Sequence, residues 1–564
     1  MIKGFYFEKP KKYKGILGMA KKEVSMEASL WAACDKLRGT IHAIEYVNVV
    51  LGLLFLRFSF DKFSQQRKKL LESKDSAPFA DNPRFYSKDN IFYLRDEIEV
   101  VVDNETGKKI KVHTRWDWLN AHSKDADILT QIDYAMRQIE KDNPSLKGAL
   151  DIGFYPTLSI EPSNFSSLMD KINEMQYSQK DTDDVIGRVY EYFLKKFAIK
   201  TKDEKGEFYT PGNIVDLMTR IIEPYNGSVY DPCCGSGGMF VQSAKFIEKH
   251  HGNRKDITIF GQESNPKTYR LARMNLAIRG LSCDLGDEAA STFTKDKHSL
   301  LKANYILANP PFNQNNWWAD SLKEGNPFWR GYDIPPASNG NYAWILLMLK
   351  HLSFDGIGAF LLANGALGAG ESGEEIEYKI RKQLIENDKI EAIIVLPREM
   401  FYATDISVTL WIVSHDKGEK TIKREGKDVL LRNRKGEILF IDARTLGDKG
   451  NNEDGYVLLT EDDKERIKNT VFKWQTQQWS DNDNEDEYCY CAKLADLKKN
   501  KWSLAPSKYI KFVDHDLDIN YKEEMVRIQK NMNQLLTNEV NSQADLINAF
   551  KGIGYEIKPK DKQS

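Results

Sequence analysis

Asn309-Pro310-Pro311-Phe312 follows an apolar run over residues 304–307 that reads as a buried strand. Two prolines cannot continue a central ladder, so the strand must end there. Their fixed φ stiffens the turn and aims Asn309 and Phe312 outward from the strand's carboxyl end. In open α/β sheets that edge is where ligands bind. An amide beside an aromatic suits a flat ring bearing an exocyclic amine. The amide and a nearby carbonyl accept from the amine while the aromatic stacks on the ring face. The same residues also read, more plainly, as a proline-stiffened strand–loop junction.

Two further groups narrow the chemistry. Asp231-Pro232-Cys233-Cys234-Gly235-Ser236-Gly237-Gly238 lies between a short strand at 227–230 and a helix at 239–249. Its glycines let backbone approach a ligand closely. The spacing is neither the G-x-G-x-x-G of dinucleotide folds nor a lysine-bearing phosphate loop. Asp231 stands at the strand end, where a carboxylate accepts from a cationic or amine-bearing ligand. Glu263 follows a second strand at 257–261, and an acid there grips ribose hydroxyls. Together they call for a nucleoside whose other end carries an amine instead of a pyrophosphate, and S-adenosylmethionine meets both demands. A structural glycine turn with a surface acid is the plain alternative for either group alone, and a much weaker one for the ordered set.

The elements that must hold these residues alternate. Helices at 213–222, 239–249, 266–279, 342–352 and 374–386 are interleaved with strands at 227–230, 257–261, 304–307, 358–362, 390–396 and 408–414. That order predicts a doubly wound, mostly parallel sheet. The short connection between the last two strands suggests an antiparallel pair at the sheet edge. Thr210-Pro211 precedes the first helix, with Thr210 in a position to cap it. In front lies a mainly helical domain over residues 25–200. Its first helix carries Leu30, Ala33, Leu37 and Ile41 on one face, and the segment 45–63, apolar nearly all round, belongs in the middle of a bundle. Residues 1–24 form a lysine-rich tail, 201–445 the sheet domain, and 446–564 a C-terminal region. The last contains a helix whose seam, Met525, Ile528, Met532 and Leu535, either packs on its own domain or docks another subunit. The segment 313–339, with Trp317, Trp318, Phe328, Trp329 and Tyr332, is long for a loop. It either closes over a bound base or packs its own aromatics.

Composition sets outer bounds. With 564 residues, 41% hydrophobic and 29% charged, the chain has the make-up of a globular protein of two to four domains. Its 81 basic and 83 acidic residues give a net charge of −2. A nucleic-acid enzyme of this balance needs a local basic face or a partner that brings one. Six cysteines without zinc-type spacing point to reduced thiols, with Cys233 and Cys234 buried and unreactive, and to no metal. With no signal-like apolar core at residues 1–5, the expected location is cytoplasmic.

The set Glu207-Phe208-Tyr209-Thr210-Pro211, Asp231 through Gly238, Glu263 and Asn309 through Phe312 resembles the amino-methylating DNA methyltransferases. Most closely it resembles the modification subunit of type I restriction–modification systems. Residues 30–56, 396–401 and 504–510 extend the likeness over roughly 25–540, while Cys233-Cys234 departs from the small residues expected before the glycines. The resemblance implies a Rossmann-like methyltransferase sheet between a helical N-terminal domain and a helical C-terminal tail. It implies that Glu207, Phe208, Tyr209, Thr210, Pro211, Gly212, Ser236, Gly237, Gly238 and Glu263 hold S-adenosylmethionine. Asp231 would face its methionine end and Asp287 its adenine. The target adenine in double-stranded DNA would be swung out of the helix, its N6 amine held by Asn309 and the Pro310 carbonyl, with Phe312 stacked on the base. A separate specificity subunit would supply the target sequence. A second copy of this chain and a restriction subunit would complete the assembly. Two other functions stay open at this point: glutamine methylation of a protein, and a non-catalytic DNA-binding scaffold.

Overall fold

The computed structural model describes residues 30–31, 43–103, 105–175, 182–200, 210–250, 252–253, 256–370, 375–401, 405–424, 426–450, 455–513 and 521–552. The lysine-rich tail, most of the first expected helix, and Glu207, Phe208 and Tyr209 lie outside the described residues. The chain divides between Ile510 and Lys511 into two compact units.

The first unit opens with helices. α1 (Ala43–Glu72) runs through the middle of the bundle, with Val49, Val50, Leu51, Leu53 and Phe55 fully buried. Gly52 is required there: a Cβ would run into the Tyr155 hydroxyl, which donates to the Val49 carbonyl at 2.9 Å. α2 (Ile128–Asp142) buries Ile128, Ile132, Ala135, Met136 and Ile139, an apolar stripe at helical spacing. α3 (Pro162–Asn173) and α4 (Thr182–Lys200) complete the bundle. A hairpin that the helical reading did not include, β1 (Glu97–Asp103) and β2 (Lys108–His113), sits among them. Its alternation is short, and cross-strand ion pairs such as Lys109–Glu99 and Lys111–Glu97 mask it among charged residues.

The sheet follows the predicted alternation. α5 (Gly212–Ile222) leads into β3 (Gly227–Asp231), α6 (Gly238–Lys249), β4 (Ile257–Gly261), α7 (Pro266–Ile278) and the short β5 (Cys283–Asp284). Next come β6 (Ala303–Ala308), α8 (Asn341–His351), β7 (Leu352–Ala363), α9 (Ile376–Glu386), β8 (Ile390–Val395) and β9 (Val408–Ser414). A hairpin, β10 (Lys420–Arg424) with β11 (Lys427–Leu431), is followed by β12 (Glu437–Asp442), α10 (Glu461–Thr476) and β13 (Cys489–Lys493). The nine-stranded order is β13-β12-β8-β9-β7-β6-β3-β4-β5, with β9 and β13 antiparallel to the rest.

β8 and β9 do pair antiparallel, but away from the edge. β9 lies between β7 and β8, and β12 and β13 extend the sheet beyond them. Every residue of β8 and β9 is buried, as central strands require. The sheet also runs past residue 445, because β13 joins it through Glu437↔Lys493 and Ile441↔Cys489. α5, α6, α7 and α10 bury their apolar sides on one face, α8 and α9 on the other. α7 serves two cores, since Met274 and Ile278 also join the helical region. Strand order reverses direction between β3 and β6, the switch point of a doubly wound sheet.

The second unit contains α11 (Tyr521–Gly552), on which Met525, Ile528, Met532 and Leu535 are all exposed, each by 43% or more. Among the described residues, no helix is long and apolar enough to cross a membrane.

Candidate functional site

The loops after β3, β4 and β6 meet at the switch point. The glycine loop is bent by Gly235 and Gly237, at φ +53° and +81°, a region that a side chain would strain. It is locked from behind. The Cys234 N–H donates to the Gln262 carbonyl (2.9 Å), the Gln262 N–H to the Asp231 carbonyl (3.0 Å), and Asn275 Nδ2 to the Ser236 carbonyl (2.7 Å). Toward the front it is open: a Cβ at Gly235 or Gly238 would meet nothing within 4 Å.

Asp231 ends β3 almost fully buried, its Oδ1 accepting the Cys233 N–H at 3.0 Å. Burial, with repulsion from Glu263, pushes its carboxyl up to about 7. Glu263 is buried too. Its Oε2 accepts the Gly235 N–H (3.0 Å), its Oε1 the Asn265 N–H (2.7 Å), and burial again raises its pKa. No ion pair reaches either carboxylate among the described residues. Cys233 is half-buried, not buried as expected, while Cys234 is buried; burial pushes both thiols well up, so neither is a nucleophile at neutral pH.

After β6, Asn309 is buried at the strand end. Its Nδ2 donates to Thr210 Oγ1 at 2.9 Å, and its Oδ1 has no partner among the described residues. Thr210 therefore does not cap α5. The N-cap position falls to Pro211, without a side-chain bond. Asn341, at the start of α8, clamps the exit of the turn: its Oδ1 accepts the Asn313 N–H (2.9 Å) and its Nδ2 donates to Asn313 Oδ1 (2.8 Å). Phe312 is half-buried and meets Phe401 edge to face, ring centroids 6.1 Å apart.

The structure thus gathers Thr210, Pro211, Gly212, Asp231, Ser236, Gly237, Gly238, Glu263, Asn309, Pro310 and Phe312 around one edge of the sheet. Asp287 stays on the rim, its side chain 81% exposed and paired with Lys297 at 2.5 Å, which holds its carboxyl below the usual range. Two site residues had no role in the sequence reading. Gln262, fully buried, ties the loop beyond β5 to the site: Nε2 donates to the Ala290 and Lys295 carbonyls and Oε1 accepts the Lys297 N–H. Phe401 provides the ring opposite Phe312, and the aromatic itself, shortly after a buried strand, is the signal that could have found it.

The long aromatic segment packs along α8: Gln314 accepts from Trp344 Nε1, and Trp317 lies against Gly340 at the start of that helix. α8 runs from Asn341, beside the Asn309 turn, back to the amino end of β7, and Phe328 lies near its far end, 4.7 Å from Lys350 Nζ. Asp333 and Gln383 exchange two hydrogen bonds at the end of α9 (2.7 and 3.0 Å). Trp317, Phe328 and Trp329 are buried with Phe293 and Trp344. The segment therefore packs its own aromatics, Trp329 against both Trp317 and Phe328, in the core on the α8 face of the sheet.

The N-6 DNA methylase family profile matches residues 181–518, and the HsdM N-terminal domain profile matches 26–202. The type I restriction enzyme HindI methylase subunit of Haemophilus influenzae is 35% identical over 446 residues, covering 77% of this chain and 94% of that protein. The type I restriction enzyme MjaIX methylase subunit of Methanocaldococcus jannaschii is 30% identical over 540 residues, covering 94% and 91%. In fold, the chain is similar to a type I restriction-modification system methyltransferase subunit from Streptococcus thermophilus. That crystal structure has 21% identity and a TM-score of 0.66, with 86% of this chain and 99% of that one covered.

Proposed function

Because this chain belongs to the N-6 DNA methylase family, as the modification subunit of a type I restriction–modification system and an adenine-specific DNA methyltransferase, we propose that it moves a methyl group from S-adenosylmethionine to the N6 amine of an adenine swung out of double-stranded DNA. The observation that carries this reading is the buried, unpartnered Oδ1 of Asn309. An orphaned buried acceptor costs about 1–3 kcal/mol unless a donor arrives, and the amine of an adenine is such a donor.

The residues also fit the cofactor. The open side of Gly235 and Gly238 leaves room for close approach of a ligand. Asp231 is a buried carboxyl whose ionised form needs a cation. When bound, S-adenosylmethionine supplies a methyl group on a sulfonium, activated enough for a neutral amine to attack. Asp231 would face its charged methionine end, and Glu263 its ribose hydroxyls. Residues 207–212 and Ser236 to Gly238 would enclose it, with Asp287 at the adenine rim. Asn309 Oδ1 and the Pro310 carbonyl accept the two N–H bonds of the substrate amine and localise its lone pair toward the methyl donor. Phe312 stacks on the base and Phe401 closes the apolar wall. The methylated nitrogen would then give up one proton to water; no cysteine nucleophile is required, so positioning and electrostatics carry the rate.

Target choice would come from a specificity subunit. The net charge of −2 favours shared DNA binding, and the exposed seam of α11 offers the docking surface. A second copy of this chain and a restriction subunit would join that assembly. The test incubates labelled S-adenosylmethionine and DNA with the chain, alone and with its specificity subunit. Label on adenine N6 only in the pair is expected. Label on protein glutamine, or no cofactor binding by the pair, would overturn the proposal.

A further inference from the structure

We propose that Asn341 is a positioning residue for the flipped base: by holding Asn313 in a left-handed backbone conformation, it aims the Phe312 ring. The inference rests on Phe312 being the ring that stacks on the base.

Asn313 has φ +52°, a conformation that strains most side chains and that glycine adopts freely. The residue is exposed, so no core packing of its own forces this turn. The hold comes from the start of α8. There Asn341, 2% exposed, takes the Asn313 N–H on Oδ1 at 2.9 Å and donates from Nδ2 to Asn313 Oδ1 at 2.8 Å. A backbone N–H can only donate, so it fixes which end of the Asn341 amide faces it. The Asn341 N–H fixes Asn339 in the same way, donating to its Oδ1 at 3.0 Å and leaving Asn339 Nδ2 to donate to Asn313 Oδ1 at 3.3 Å. The Gly340 N–H closes the stem on the Gln314 carbonyl at 2.8 Å. On the other side of Phe312, the rings of Pro310 and Pro311 fix φ and hold Asn309 independently of this stem. The direction of Phe312 therefore depends on the residue that follows it, and the position of the amine acceptor does not. Neither Asn313 nor Asn341 is among the residues assigned to the cofactor.

The experiment uses the chain assembled with its specificity subunit on target DNA. It measures single-turnover methylation at saturating S-adenosylmethionine, the cofactor Kd, and the fluorescence of 2-aminopurine at the target position with S-adenosylhomocysteine bound. Asn313→Gly and Asn313→Ala both lack the side-chain amide and differ by one methyl group at an exposed position, so the pair isolates the ease of positive φ. Asn313→Ala is expected to be slower than Asn313→Gly on the order of tenfold, with a matching loss of fluorescence and Kd values within about twofold of each other. Asn341→Ala shows a loss of similar size, and adding Asn313→Gly recovers the rate to within about threefold of Asn313→Gly alone. In the Phe312→Ala background the two Asn313 variants differ by less than about twofold, because the ring to be aimed is gone. Equal rates for that pair in the native background overturn the inference. So does a difference that persists undiminished in the Phe312→Ala background, a rate loss without a fluorescence loss, or an Asn341→Ala loss that Asn313→Gly does not recover. A native complex that gives no fluorescence rise and methylates no adenine refutes the base-flipping reading itself.

Discussion

Cofactor affinity should depend on pH through Asp231. Its carboxyl is raised from 3.8 to about 7, first by burial and then by Glu263. A shift of roughly three pH units corresponds to about 4 kcal/mol in favour of the neutral form. The folded pKa lies above the unfolded one, so the ligand-free protein binds more protons than the unfolded chain across that window. Its stability from this group therefore falls as pH rises from about 4 to about 7, and above 7 the full cost is borne. A cationic ligand reverses the preference, because it needs the carboxylate ionised. Below pH 7 each binding event must release a proton, and apparent affinity for S-adenosylmethionine should weaken about tenfold per pH unit. The assay is titration calorimetry from about pH 5.5 to about pH 7.5, in two buffers of different ionisation enthalpy, to count released protons. Close to one proton is expected at the acid end, declining toward the neutral end. Asp231→Asn should flatten the profile, weaken binding at neutral pH, and raise the melting temperature of the ligand-free protein at pH 8 but not at pH 4. An affinity that stays constant across the window, with no proton release, would refute the assignment of Asp231 to a cationic ligand.

Asn309→Ala should abolish adenine methylation while cofactor affinity stays within about twofold, measured by filter methylation and calorimetry, because the amide is assigned to the amine alone. Gly235→Ala should keep the fold, at a cost of about 1 kcal/mol for its positive φ, yet lose cofactor binding, since the added methyl enters the open side of the loop; melting and binding measured together separate the two effects. Phe401→Ala should weaken retention of a flipped base by about 1 kcal/mol, read as reduced 2-aminopurine fluorescence at the target position, with cofactor affinity unaffected. Trp317→Ala should destabilise the first unit by about 3–5 kcal/mol in denaturant unfolding, because that side chain is 2% exposed in the outer-face core.

What the sequence made legible follows the range of the interactions. The prolines after Ala308 end β6 wherever the chain is folded, so the position of Asn309 could be read locally. Alternating strands and helices likewise placed Asp231 and Glu263 at strand ends. Thr210 was misread because a hydroxyl before a Pro-led helix has the pattern of a cap, whereas its actual partner is 99 residues away. Gln262 gave no signal at all: an amide at a strand end is ordinary on a surface, and its partners come 28 to 35 residues later. The place of β9 was hidden for a related reason. A short connection from β8 suggests an edge hairpin, but β7 had already left a gap beside it that only tertiary pairing reveals. β12 and β13 were overlooked because their pairing spans Glu437 to Lys493, across a helix and an acidic loop.

The two buried polar groups at the switch point constrain the chemistry more tightly together than apart. Tyr230 pairs with Ile306, so Asp231 lies level with Leu307 and Asn309 stands two residues farther along the neighbouring strand. With strands about 4.8 Å apart and about 3.3 Å per residue, their Cα atoms are on the order of 8 Å from each other. One group asks for a cation and the other for an N–H donor, so the space between them is suited to a methyl group passing from a charged sulfur to an amine. Only one of the two titrates near neutrality. The Asn309 amide does not titrate in this range, and in the proposed arrangement Asp231 would act on the cofactor and not on the amine. The pH dependence of this enzyme should therefore appear in its affinity for S-adenosylmethionine and vanish from the single-turnover rate once the cofactor saturates. An acid limb near pH 7 in that saturated rate would require a second titrating group at the amine, and would refute catalysis by positioning alone.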